Sequence, residues 1–101
     1  MTVYALAQIS IHDRERYDRY AAAFMPVLSA YGGRLLAADE APRVVEGDWR
    51  HDKVVLVAFD SRESFERWAT SPEYQDIARD RVAATDGVVL LVHGVPTLGN
   101  G

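Results

Sequence analysis

Hydrophobic positions along the chain follow two rhythms. Residues 2–11, TVYALAQISI, are rich in β-forming side chains and stop where HDRER begins, which predicts a strand. The spacing then lengthens. Tyr17, Tyr20, Ala21, Phe24, Val27, Leu28 and Tyr31 recur at helical intervals, and Asp13 is placed to accept from the free amides of the first turn. Pro26 interrupts this stripe, and a mid-helix proline costs about 3 kcal/mol. The stripe stays in phase across it, so a kink is expected rather than an end. Gly32 and Gly33 stop the helix, because glycine enters the left-handed conformation without a Cβ penalty.

The second half repeats the alternation. RLLAAD (34–39) predicts a strand, and residues 40–52 a long connection with a little extended structure at 43–46. KVVLVAF (53–59) is an unbroken apolar run of the kind found in a central buried strand. Asp60 with Glu63 fits a capping box for a short helix that places Phe65, Trp68 and Ala69 on one face. Ser71 and Pro72 then read as the cap and first position of another helix, continued at helical spacing by Tyr74, Ile77, Ala78 and Val82. DGVVLLVHGV (86–95) predicts a last strand. Residues 1–96 form one expected domain, and 97–101 a short tail.

Strand, helix, strand, strand, helix pair, strand is the order of a ferredoxin-like α+β fold: a split β-α-β, four-stranded antiparallel sheet with helices on one face. Right-handed crossovers put the helical segments on the same side. A sheet with one solvated face alternates apolar and polar residues. These strands do not: Val54, Leu56 and Ala58 back onto Val55, Val57 and Phe59, and Val88, Leu90 and Val92 onto Val89, Leu91 and His93. Four strands present a face of roughly 400 Å², and an apolar patch of that size marks an interaction surface. A second copy packed about a two-fold axis is the simplest cover, so a homodimer is expected.

Composition narrows the classes. The chain has 101 residues, 49% hydrophobic and 26% charged, the balance of an ordinary globular domain. With no cysteine, it has no disulfide, thiolate nucleophile or cysteine metal site. A net charge of −4 argues against a nucleic-acid or anionic-membrane footprint. The apolar start lacks a basic leader, and no run approaches the length of a membrane span, so a cytoplasmic location is expected.

Several segments carry a more specific likeness. YALAQISIHDRERYDRY, YGGRLLAADE, VVEGDW, VVLVAFDSRESFERWATSPEYQDIARDR and LLVHGV resemble, in order and spacing, the domain of unknown function 1330 family. The resemblance spans nearly the whole chain and implies a dimeric α+β barrel, two ferredoxin-like domains paired through their sheets, with no established activity. Matching positions include Tyr20, Gly32, Gly33, Glu46, Gly47, Trp49, Trp68, Ser71, Pro72, Glu73, Tyr74 and Arg81. The chain departs from the family pattern at His51, Lys53 and His93, where a proline, an arginine and an acid are more usual.

Candidate chemistry is sparse. Glu46, beside Gly47 and Trp49, is a candidate general base, against the simpler role of a loop carboxylate paired with Arg81 or Lys53. His93, ending an apolar strand, is a candidate proton-transfer group. Tyr20, Trp49, Trp68, Tyr74 and Arg81 are candidate ligand-binding residues, although large aromatics at helical spacing are more often plain core. Trp49 stands apart, since an indole in a polar loop must reach back to the sheet or meet a partner. The three histidines are too far apart for a helical metal pair, so no metal site and no cofactor are expected.

Three functions fit this picture unequally: a dimer binding a small, partly apolar molecule between helices and sheet; a cofactor-free monooxygenase or isomerase; and a purely structural dimer. An RNA-recognition module shares the strand order but needs central aromatics and a glycine that KVVLVAF lacks.

Overall fold

In the computed structural model, residues 1–96 are described, and the tail expected at 97–101 lies outside them. The chain runs β1 (Val3–Ile11), α1 (Arg14–Ala30), β2 (Arg34–Asp39), β3 (Lys53–Phe59), α2 (Arg62–Ala69), α3 (Pro72–Ala84) and β4 (Thr85–His93). The strands form one sheet in the order β2-β3-β1-β4, every neighbouring pair antiparallel. This is the ferredoxin-like architecture. The extended segment expected at 43–46 is absent; residues 40–52 contain no regular element.

Local chemistry accounts for the boundaries. The Asp13 carboxylate accepts from the Arg16 amide at 3.2 Å and opens α1, which passes through Pro26 without ending. It closes in a Schellman arrangement: the Gly33 amide donates to the Leu28 carbonyl at 3.0 Å and the Gly32 amide to Ser29 at 3.1 Å. Gly32 takes φ +78°, and a Cβ on Gly33 would lie 2.3 Å from the Leu28 side chain. The first glycine serves the turn and the second the packing.

The cap of α2 differs from expectation. Ser61, not Asp60, accepts from the Ser64 amide at 3.1 Å. The strand ends at Phe59 and the helix starts one residue later than the capping-box pattern implies, which frees Asp60 to accept from Arg34 Nη1 of the edge strand at 2.7 Å. At the α2–α3 junction the buried Ser71 hydroxyl serves both helices. It donates to the Trp68 carbonyl at 2.8 Å and accepts from the Tyr74 amide at 3.1 Å.

Register assigns the two faces of the sheet. Val3, Ala5, Ala7 and Ile9 of β1 pair with Phe59, Val57, Val55 and Lys53 of β3 and look toward the helices. Tyr4, Leu6 and Gln8, paired with Ala58, Leu56 and Val54, look the other way. The core sits under the helices and is centred on Val3, Leu28 and Phe59, all at most 1% exposed.

A candidate ligand cavity between helices and sheet

The helices do not press flat onto the sheet. A cavity of about 350 Å³ lies between them. Its floor is Ala5 and Ala7 of β1 with Val55 and Val57 of β3, and Ala21 and Ala69 contribute from the helices. Small side chains at central positions leave this volume open, because close-packed neighbours cannot collapse into every gap a missing side chain creates.

The roof is aromatic. Tyr20 contacts Phe24 at a centroid distance of 5.5 Å, Phe24 contacts Trp68 at 6.1 Å, Trp68 lies 4.0 Å from Tyr74, and Tyr74 returns to Tyr20 at 6.2 Å. Three helices thus contribute to one closed circuit of rings. The Ser71 hydroxyl sets the closest contact by joining the carbonyl of Trp68 to the amide of Tyr74.

Polar groups reach this apolar chamber at few points. The Tyr20 and Tyr74 hydroxyls are hydrogen-bonded at 3.0 Å in a buried setting. Burial pushes the Tyr20 phenol well above the ordinary tyrosine pKa, the neighbouring Tyr74 adds to the rise, and Arg81 pulls the other way. It therefore stays protonated at neutral pH. The Arg81 guanidinium lies 5.9 Å from the Tyr20 ring centroid. Burial opposes its charge, but the Tyr74 and Tyr20 phenols outweigh that and leave its pKa raised. Lys53 Nζ sits 4.9 Å over the Tyr17 ring. Buried Trp68 Nε1 and Arg81 Nε have no hydrogen-bond partner among the described residues.

Of the residues singled out from sequence, Tyr20, Trp68, Tyr74 and Arg81 come together around the cavity. The other three do not line it. Trp49 reaches back to the opposite face of the sheet, where its Nε1 donates to Gln8 Oε1 at 2.9 Å and its ring meets His51 at 5.8 Å. Glu46 is exposed in the 40–52 connection, and the ion pair considered for it with Arg81 or Lys53 does not form among the described residues. His93 is exposed at the end of β4. Val82, assigned to the apolar stripe of α3, is 65% exposed, and Arg81 takes the inward place beside it. Lys53 also lines the cavity, and its parity with Val55 and Val57 along β3 marks it as helix-facing from the sequence.

The family model described as Domain of unknown function (DUF1330) matches residues 2–95. The chain belongs to the DUF1330 family. No curated protein matches it in sequence. Among solved structures, this DUF1330 chain is similar to a protein of unknown function from Rhodopseudomonas palustris at TM-score 0.80 and 18% identity, covering 95% of this chain and 84% of that one. A dimeric ferredoxin-like protein of unknown function from Jannaschia sp. CCS1 matches at TM-score 0.67 and 18% identity, over 93% and 100%. SnoaB, a cofactor-independent oxygenase from Streptomyces nogalater, matches at TM-score 0.60 and 15% identity, over 97% of each chain. At these identities the likeness establishes the ferredoxin-like fold that the DUF1330 chain adopts. Among the described residues no helix is long and apolar enough to cross a membrane.

Proposed function

We propose that this DUF1330 chain binds a small, partly apolar ligand in the cavity between sheet and helices, and that it does so as a homodimer paired through the open sheet face. One observation carries the ligand reading: a chamber of about 350 Å³, walled by a circuit of four aromatic rings and entered by few polar groups. That size and lining are typical of small-molecule sites. The dimer is supported by apolar side chains on the face without helices. Val88, Leu90 and Val92 there are 45–48% exposed on one edge strand. The Jannaschia relative of the same fold is described as dimeric.

A cofactor-free enzyme draws support from fold likeness, as to SnoaB and to an antibiotic biosynthesis monooxygenase-like protein from Caulobacter crescentus, and from nothing in the site itself. Glu46 and His93 are both exposed and outside the cavity, so neither is placed to transfer a proton to a molecule bound there.

The test fills the chamber from below. Calorimetric titration with bicyclic aromatics (2-naphthoate and its neutral amide, 2-naphthamide) should show saturable binding by at least one. Ala7→Leu, which extends a floor residue into the cavity, should abolish it while the protein stays folded. Binding that survives Ala7→Leu places the ligand elsewhere. If neither compound binds, the structural-dimer alternative takes precedence.

A further inference from the structure

The charge on the cavity wall is all of one sign. The charged lining residues are Lys53 and Arg81, both cations, and no carboxylate lines the cavity. Neither cation forms an ion pair with a described carboxylate. This is unusual in a chain with 15 acidic and 11 basic residues and a net charge of −4. The acids nearby are committed elsewhere. Glu40, whose charge Lys53 also influences, is held by Arg14 at 2.6 Å. Asp80, the neighbour of Arg81 in sequence, is held by Arg16 at 3.0 Å and Arg19 at 3.5 Å. Arg81 also borders a second recess containing Asp86, but that carboxylate faces solvent and meets His12 at 3.6 Å.

Several uncharged polar groups add donors beside these cations. In the Tyr20–Tyr74 hydrogen bond one hydroxyl donates and the other accepts, which leaves the acceptor's own O–H free. Trp68 Nε1 and Arg81 Nε can only donate, and both are buried without partners among the described residues. Gln75 gives one amide N–H to the Ala69 carbonyl at 2.6 Å, and its Oε1 is an uncharged acceptor at this wall. A buried donor without an acceptor is costly, and a buried cation without a counter-charge more so.

We propose that the ligand is a small aromatic carboxylate, its ring among Tyr20, Phe24, Trp68 and Tyr74 and its carboxylate on Arg81, with Lys53 adding a second positive charge. This rests on the cavity being a ligand site, as argued above. A carboxylate's two oxygens match the planar guanidinium fork, including the unpaired Nε. An aromatic body is favoured because the rings around it offer edge and face contacts that an aliphatic chain does not use.

The experiment compares two molecules of the same shape and different charge. Calorimetry should show 2-naphthoate binding wild-type protein about tenfold or more tighter than 2-naphthamide, the scale of a charged hydrogen bond. Arg81→Gln should erase that difference, the acid losing about tenfold more affinity than the amide. Arg81→Lys, which keeps the charge and loses the fork, should retain only part of it, and Lys53→Met should reduce it. These two variants keep the test decisive if Arg81→Gln fails to fold. Equal affinities of acid and amide for wild type would overturn the carboxylate assignment and leave the cavity as a neutral-ligand site. A difference that persists undiminished in Arg81→Gln and Arg81→Lys would overturn the role of Arg81. Failure of both compounds to bind would overturn the cavity reading and this inference together.

Discussion

Tyr20 shows how much one side chain can commit to. Its ring belongs to the aromatic circuit, its hydroxyl is tied to Tyr74, and the cavity lies against it. Its raised pKa has a consequence with a definite sign. The unfolded chain releases the phenolic proton near pH 10, the ordinary tyrosine value, and the folded chain holds it. Stability linked to Tyr20 is therefore fully present below pH 10 and declines as pH rises above it. Tyr20→Phe should be less stable than wild type at neutral pH by about 1 kcal/mol, the net value of one hydrogen bond. It should also lose stability less steeply above pH 10, a comparison that denaturant titrations across the alkaline range would make. Parallel slopes for the two proteins would mean that Tyr20 is not held protonated by the fold. At this scale the sequence was only half legible. Tyr20 and Tyr74 sit on apolar stripes and were readable as inward-facing. Arg81 lies seven residues after Tyr74, close to two helical turns, so geometry brings it to the same face. Hydropathy alone selects Val82, its exposed neighbour. The cap of α2 falls on Ser61 rather than Asp60 for a similar reason: both are good caps, and Asp60 is taken up by Arg34 of the neighbouring strand.

Among the elements, the α2–α3 junction matters most for the cavity. Two helices meet at one buried hydroxyl, and the aromatic pair with the shortest spacing, Trp68 and Tyr74, straddles the joint. Ser71→Ala removes the acceptor for the Tyr74 amide and the donor to the Trp68 carbonyl. Loss of a serine cap costs about 1 kcal/mol and up to 2, so thermal denaturation should show a clearly lower midpoint. Ligand affinity should fall too, because the roof depends on that angle. An unchanged midpoint would show that Pro72 alone sets the break. Element order, the helix stop at Gly32–Gly33 and this junction were readable because each rests on local chemistry: backbone conformations, caps and periodicity. The path of residues 40–52 was not. It is fixed by contacts 41 residues apart in sequence, Trp49 to Gln8 and His51 to Ser10, which no local pattern reveals.

For the whole molecule, the open face is the principal feature. Its apolar strands were evident from the missing alternation, and the structure adds that Trp49 and His51 fold over one end of it. Sedimentation at micromolar concentration should give twice the 11.2 kDa chain mass. Leu90→Asp on the exposed edge strand should return the protein to a monomer, since burying an unpaired carboxylate is costly. A single 11.2 kDa species in the wild type would dismiss the dimer and require another cover for this face.

The central strand β1 touches both proposed activities at once, and the pleat keeps them apart. Odd-numbered Ala5, Ala7 and Ile9 border the chamber, while even-numbered Tyr4, Leu6 and Gln8 look outward to where a twin would dock. Substitutions walked along this strand should therefore alternate in phenotype, one position altering uptake of the small molecule and the next altering self-association. Adjacent residues would behave as though they belonged to different proteins.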